Sequence, residues 1–171
     1  MQKILVSACL LGERVRYDGD HSRVAALVQW QEQGRIISIC PEVAGGLPVP
    51  RPAAEIEDGD SNLVLRGRGF IRRKDGQDVT GAFMDGAEHA LALCFEHDIR
   101  IAVLKEGSPS CGVNLVNSGN FSGTKITGLG VTARLLSQHG VCVFSEQHLD
   151  RAAEKLAELD TAAADRHLGA A

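Results

Sequence analysis

The sequence has few of the features that mark membrane, secreted or nucleic-acid-binding proteins. Aromatic residues make up only 4% of its 171 residues, so the core must consist of Leu, Val, Ile and Ala, which suits parallel strands covered by helices. No apolar run approaches the ~20 residues that span a bilayer, and the amino terminus lacks a secretory signal pattern. The net charge of −4 gives no general electrostatic attraction to nucleic acid.

Paired cysteines are also missing. The chain has five cysteines, an odd number, and no two of them form a Cys-x-x-Cys pair. An odd count without a signal peptide predicts reduced thiols in the cytoplasm rather than a disulfide framework. Metal binding or catalysis is then the leading use for any thiol outside the core.

Apolar runs alternate with helical patterns along most of the chain. We predict strands over 3–9, 35–40, 100–104 and 141–144, and helices over about 24–30, from Thr80 through Cys94, over about 130–138 and over 147–159. This alternation predicts an α/β fold: a single-domain three-layer sandwich over residues 1–160, with a mainly parallel Rossmann-like sheet. Residues 41–76 break the pattern and predict a small insertion over the sheet edge, with short strands at Val64-Leu65 and Phe70-Ile71. Residues 161–171 are expected to form a frayed tail.

Three of the cysteines lie at or just beyond the ends of predicted strands. Cys9 and Cys40 end two apolar runs, and Cys111 follows a third in a short loop rich in glycine and serine. The carboxyl ends of parallel strands share one edge of the sheet, where ligands bind. Cys94 and Cys142 lie on an apolar helix face and inside a strand, which is typical of small core residues.

Three thiols at one edge predict a metal or iron–sulfur site. Structural zinc sites use closely spaced pairs and four ligands, which this spacing does not offer. Iron–sulfur clusters usually take four cysteines, so three would leave one iron open to water or substrate as a Lewis acid. Two alternatives remain open: a non-catalytic metal- or nucleotide-binding module, and a sulfur-transfer protein that carries a cysteine persulfide.

The segments around these cysteines resemble the thiouracil desulfidase family. The matching segments extend over about residues 3–146 and are, in one-letter code, CLLG at 9–12, RYDG at 16–19, CPE at 40–42, GGLP at 45–48, PRP at 50–52, LKEGSPSCG at 104–112, FSG at 121–123, GLGVTA at 128–133 and VFSE at 143–146. The resemblance implies a [4Fe-4S] cluster held by Cys9, Cys40 and Cys111. It also implies a small-molecule substrate, a thiolated pyrimidine such as 2-thiouracil, which water converts to the oxo form with release of hydrogen sulfide.

Desulfuration of this kind needs a residue that moves a proton. Glu42, two residues after Cys40, is the predicted acid/base, and Ser108 is its predicted catalytic partner. Arg51, held between two prolines, is a predicted anion-binding residue. Ser110 and Asp18 complete the predicted substrate-binding set, although Ser110 equally fits a serine turn that caps its own backbone.

Two other charged segments have simpler interpretations. Lys105 and Glu106 are expected to pair with each other or with Asp18, and a structural ion pair is the default expectation. The basic run at Arg66, Arg68, Arg72, Arg73 and Lys74 predicts a solvated hairpin face, with binding of a nucleotide phosphate or RNA as the alternative.

Overall fold

The computed structural model describes residues 1–168, with only the backbone of His167. Its strands are β1 (Ile4–Ser7), β2 (Ile36–Ile39), β3 (Ala54–Ile56), β4 (Ile71–Arg73), β5 (Ile101–Leu104), β6 (Leu115–Asn117), β7 (Lys125–Thr127) and β8 (Cys142–Ser145). Its α-helices are α1 (Val28–Glu32), α2 (Pro41–Ala44), α3 (Ser61–Leu65), α4 (Thr80–Glu96), α5 (Val131–Gln138) and α6 (Leu149–Leu168). Short 3₁₀ helices occupy Ala8–Leu11, Ala25–Leu27, Glu57–Gly59 and Glu146–His148.

The centre of the fold is a parallel sheet in the order β2-β1-β5-β8. Successive side chains of a strand point to opposite faces, and both faces of this sheet are covered. Leu5 and Ala102 pack with residues of α4 and α5 on one face. Ile4 and Val103 pack with Leu27 and residues of α6 on the other face. The predicted three-layer α/β architecture with a mainly parallel sheet is therefore confirmed.

Two antiparallel hairpins lie outside this sheet. Strand β3 pairs with β4, and β6 pairs with β7. Glu55 of β3 ties the hairpins together, because its carboxylate accepts hydrogen bonds from the backbone N–H groups of Gly119 (3.0 Å) and Phe121 (3.3 Å). The first hairpin belongs to the predicted insertion, whereas the second was not predicted.

Three predictions of local secondary structure are wrong: the end of the first strand, the type of one element and the end of the last helix. Strand β1 ends at Ser7, and a 3₁₀ turn then carries Cys9. Val64 and Leu65 are helical, because the Asp60 carboxylate caps α3 by accepting hydrogen bonds from two N–H groups of its first turn. The last helix continues through Leu168, beyond the predicted end at 159, so residues 161–168 of the predicted frayed tail are helical. Residues 169–171 of that tail lie outside the described residues. Within residues 1–168, no helix is long and apolar enough to cross a membrane.

Candidate active site

A cavity of about 300 Å³ lies at the carboxyl ends of β1, β2 and β5. Its wall contains Cys9, Cys40 and Cys111, together with Glu42 and Ser108. Parallel strands bring these segments together, although the segments are far apart in sequence. The structure thus gathers the three thiols and the two predicted catalytic residues around one space.

Each thiol is presented by a different local structure. Cys9 is buried in the 3₁₀ turn after β1. Cys40 is the N-cap residue of α2, and its Sγ lies 3.7 Å from the carbonyl oxygen of Val15. Cys111 is buried in the loop after β5. The three ligand candidates therefore depend on three separately folded turns.

Burial disfavours the charged form of all three thiols. It raises the pKa of Cys9 to about 11, with a further increase from Cys40 and an opposing effect of Lys105. Burial also raises the pKa of Cys40 and of Cys111, and at Cys111 the Ser7 hydroxyl opposes the increase. Cys9 and Cys40 also each raise the pKa of a neighbouring thiol. Three thiolates in this cavity would therefore be unfavourable without a compensating cation.

The arrangement of acidic, histidine and cysteine side chains bears on what kind of metal site the cavity offers. Among residues 1–168, no group of three or more His, Cys, Asp or Glu side chains is placed to hold one metal ion. Thiolates bound to one zinc ion each lie about 2.3 Å from it, and hence close to one another. In a cubane cluster each thiolate binds a different iron atom. Cys9, Cys40 and Cys111 line one cavity and are the type of donor that such a cluster takes.

Glu106 organises the loop that carries Cys111. Its Oε2 accepts a hydrogen bond of 2.8 Å from the Asn114 side-chain amide. Its Oε1 accepts four backbone N–H groups, those of Val113 (2.9 Å), Asn114 (2.9 Å), Leu115 (3.0 Å) and Gly107 (3.2 Å). Burial opposes the charge, but these donors outweigh it and lower the pKa of Glu106. Its carboxylate is therefore the centre of the loop rather than half of an ion pair with Lys105.

Lys105 instead pairs with Glu146, which follows β8. Its Nζ lies 2.9 Å from Glu146 Oε1, and the backbone N–H of Glu106 donates to Glu146 Oε2 at 2.8 Å. The expected Lys105–Glu106 ion pair is thus wrong, because Glu106 already has its full set of donors. The backbone N–H of Lys105 donates to the Ser7 hydroxyl at 3.0 Å. Lys105 lines the cavity, where its charge lowers the pKa of Cys9.

Glu42 is held between Arg51 and Ser108. The Nε of Arg51 donates to Glu42 Oε1 at 3.3 Å, while its other nitrogens donate to the carbonyl oxygens of Pro48 (3.1 Å) and Val15 (3.0 Å). Burial raises the pKa of Glu42, and hydrogen bonds from Arg51 and Ser108 oppose that increase. The Arg51 guanidinium thus orients the carboxylate, and the Ser108 hydroxyl contributes to its electrostatic surroundings.

The direction of the Ser108 hydrogen bond is fixed by its neighbours. Its Oγ accepts the backbone N–H groups of Ser110 (3.0 Å) and Cys111 (3.1 Å). The hydroxyl proton is then left to donate, and the Ser108 side chain lowers the pKa of the nearby Glu42 carboxyl. Ser108 therefore links the acid/base candidate to the Cys111 turn.

Two predicted substrate-binding residues do not reach the cavity. Ser110 is fully buried, and its hydroxyl bonds Thr132 Oγ1 at 2.8 Å. The Ser108 hydroxyl caps this turn, so the predicted alternative, in which Ser110 caps its own backbone, is also wrong. Asp18 is exposed, accepts the backbone N–H of Asp20 and lies 3.8 Å from the Arg16 guanidinium. Arg51 does line the cavity, but three of its donors are already engaged.

Other residues of the cavity wall were missed by the sequence analysis. They are Ser7, Arg16, Tyr17, Lys105, Asn117 and Lys125. Ser7 could have been identified from the sequence, since it is a polar residue inside the apolar run that leads to Cys9. Asn117 and Lys125 belong to the unpredicted β6–β7 hairpin, so no sequence pattern placed them near the thiols.

The start of α5 packs against the loop that carries Cys111. Its first N–H groups, at Val131 and Thr132, donate to the carbonyl oxygens of Pro109 and Ser110 at 2.9 Å each. A Cβ atom at Gly130 would lie 2.3 Å from the Ser110 oxygen. The glycine therefore allows the helix to approach the loop closely, and the helix terminus is used for loop packing.

The fold and the cavity define an α/β protein with a thiol-rich candidate metal centre at the carboxyl edge of its sheet. Residues 4–148 match the model of the 2-thiouracil desulfurase family, and the chain belongs to that family.

Two similar proteins extend the comparison. The uncharacterized protein YbbK of Bacillus subtilis (strain 168) is 44% identical over 147 residues, which cover 86% of this chain and 97% of YbbK. A solved structure of TudS, a [4Fe-4S]-dependent thiouracil desulfidase, superposes with a TM-score of 0.84 at 46% identity, over 92% of this chain and 99% of TudS.

Proposed function

We propose that this protein is a [4Fe-4S]-dependent desulfidase that converts a thiolated pyrimidine such as 2-thiouracil to its oxo form and releases hydrogen sulfide. The observation that carries the proposal is the convergence of Cys9, Cys40 and Cys111 on one cavity beside Glu42. Membership of the 2-thiouracil desulfurase family and the similarity to TudS support the same reaction.

The donor set of the cavity fits such a cluster. We propose Cys9, Cys40 and Cys111 as its ligands, with one iron left without a protein thiolate. When bound, the cluster supplies a Lewis-acidic iron that matches the soft sulfur of a thiocarbonyl group. The cations of Lys105 and Arg16, which lower the pKa of Cys9, help to stabilise the thiolate form that a metal requires.

Glu42 is proposed to take a proton from the water that attacks the thiocarbonyl carbon. In the overall reaction the oxygen of water replaces sulfur at carbon, and both protons of the water leave with the sulfur. Burial brings the pKa of Glu42 upward from its ordinary value, toward the range where a carboxylate both accepts and returns a proton. Ser108 and Arg51 hold the carboxylate in place, so we assign Arg51 to positioning Glu42 rather than to binding the substrate.

A persulfide mechanism fits the cavity less well. Sulfur-carrier cysteines depend on a thiolate with a lowered pKa in an electropositive, partly exposed site. The pKa values of Cys9, Cys40 and Cys111 are instead raised by burial. Three such thiols around one space favour shared metal ligation over single-cysteine chemistry.

The experiment is an anaerobic preparation assayed for iron, acid-labile sulfide, visible absorption and sulfide release from several thiolated pyrimidines. Separate Cys9→Ser, Cys40→Ser and Cys111→Ser variants should each lose the cluster and the activity. Cys94→Ser, a buried cysteine of α4, is the matched control and should retain both. Protein that stays colourless after anaerobic reconstitution, or a single essential cysteine with dispensable iron, would contradict the proposal.

A further inference from the structure

The short helix α2 carries Glu42 and begins directly after Cys40, and it rests on α4 with almost no space between the backbones. A Cβ atom at Gly86 of α4 would lie 1.9 Å from the oxygen and 2.6 Å from the carbonyl carbon of Pro41. The contact is reciprocal, because a Cβ atom at Gly45 would lie 1.9 Å from the Ala82 oxygen. The obstructing atoms are backbone atoms, so no rotamer change relieves either clash.

Gly86 has no other structural need for glycine. It lies inside the seventeen-residue helix α4, where glycine is less favourable than alanine, and its φ is not in the left-handed region. Gly81 of the same helix has no atom within 4 Å of its ideal Cβ position. The close approach to Pro41 is therefore what distinguishes Gly86.

Pro41 lies between the two residues of α2 that matter at the cavity. Cys40 faces Cys9 and Cys111, which lie in the turns that follow other strands. Glu42 faces Arg51 and Ser108. Moving Pro41 away from α4 shifts both residues at once. The remaining side of α2 offers little resistance, since Val43 is exposed.

We propose that Gly86 is a positioning residue for the desulfuration reaction: the missing side chain lets α2 sit where Cys40 and Glu42 complete the site. This inference rests on the proposed function, since it assumes that Cys40 holds the cluster and that Glu42 acts on the substrate. Gly86 itself does not line the cavity.

The test is Gly86→Ala, with Gly81→Ala as the control on the same helix. We expect metal-free Gly86→Ala to keep the helical circular dichroism of the wild type. After anaerobic reconstitution it should hold less iron per chain and show a changed visible or electron-paramagnetic-resonance spectrum. A displacement of about 1 Å at reacting groups costs on the order of 10²-fold in rate. The remaining loaded enzyme should therefore lose kcat by about that factor while KM changes little. Gly81→Ala should match the wild type in every measurement.

A second variant protects the test against a folding defect. Gly45→Ala, at the C-cap of α2, disturbs the same helix interface through a different contact, with the Ala82 backbone, at a φ of −78° that alanine adopts freely. It should reproduce the loss of iron. Unchanged iron content, spectrum and kcat in Gly86→Ala would overturn the inference, as would a general loss of fold in both variants. A wild-type protein that binds no cluster would instead reject the proposed function, so the two failures are distinguishable.

Discussion

The Glu106 carboxylate offers the sharpest test of how the Cys111 loop is held. Replacing Glu106 with alanine removes the acceptor of five hydrogen bonds, four from backbone N–H groups and one from the Asn114 side chain. Because the backbone donors cannot rotate away, the loop must either recruit water or change conformation. We expect it to change conformation, which displaces Cys111 from the cavity.

The size of the effect follows from the number of donors and their exposure. A hydrogen bond to a charged group contributes about 1.5–3 kcal/mol, but water reaches some of these donors once the side chain is gone, since Leu115 is exposed. A buried N–H group left without an acceptor costs about 1–3 kcal/mol, so the donors that water does not reach should together cost about 3–5 kcal/mol. In a protein of this length 1 kcal/mol corresponds to a shift of about 2–4 °C in Tm, so Glu106→Ala should lower Tm by roughly 6–20 °C.

The pH dependence of stability is an independent test of the role of the Glu106 charge. The pKa of Glu106 is lowered from 4.5 in the folded protein, so its charge stabilises the fold fully above about pH 4.5. That contribution is lost as the pH falls through the folded pKa. Glu106→Gln, which keeps one acceptor oxygen but no charge, should therefore show a smaller drop in Tm between about pH 5 and pH 3 than the wild type shows.

The measurements are thermal melts of the metal-free protein across this pH range and iron content after anaerobic reconstitution. Glu154→Gln, an exposed carboxylate on α6, is the control and should leave both unchanged. If Glu106→Ala melted within about 2 °C of the wild type and retained its iron, the carboxylate would not be the centre of the loop.

Two further predictions concern the acid/base pair. Glu42→Gln should retain the cluster but lower kcat by on the order of 10²- to 10⁴-fold, measured as sulfide release, and unchanged turnover would remove Glu42 from the chemistry. Ser108→Ala removes a hydrogen bond that lowers the pKa of Glu42, so the acidic limb of the pH–kcat profile should move to higher pH. A shift to lower pH, or none, would show that the hydroxyl does not donate to Glu42.

The parts of the site that could be predicted from sequence depend on regular structure. Cys9, Cys40 and Cys111 follow runs of buried residues, and parallel strands bring their carboxyl ends to one edge whatever the details of the loops. Glu42 and Ser108 were placed by their closeness to these cysteines in sequence. The same logic failed for Ser110, because one turn of irregular backbone decides whether a serine faces the cavity or the interior.

The remaining errors involve interactions that a sequence does not display. The adjacent Glu106 and Lys105 suggest an ion pair in the sequence. The carboxylate is in fact bound by backbone N–H groups, which the order of side chains does not reveal. Val64 and Leu65 have strand-like side chains, but the Asp60 cap makes them helical. The β6–β7 hairpin consists of two three-residue strands with only one fully buried residue, Val116, too little for a hydrophobic period to be detected.

These omissions share a physical cause that also explains how the site is built. Deprotonated thiols repel one another, and burial disfavours their charge. Bringing them together therefore does not stabilise the protein before a metal binds. Their positions must instead be fixed by the packing of the segments that carry them. These contacts involve the backbone: Pro41 against Gly86, Ser110 against Gly130, and four N–H groups on the Glu106 carboxylate. A cluster needs all three thiols at once, so loosening any one of these contacts should weaken the site as a whole. The residues that decide whether this protein can hold iron therefore include several that never touch it.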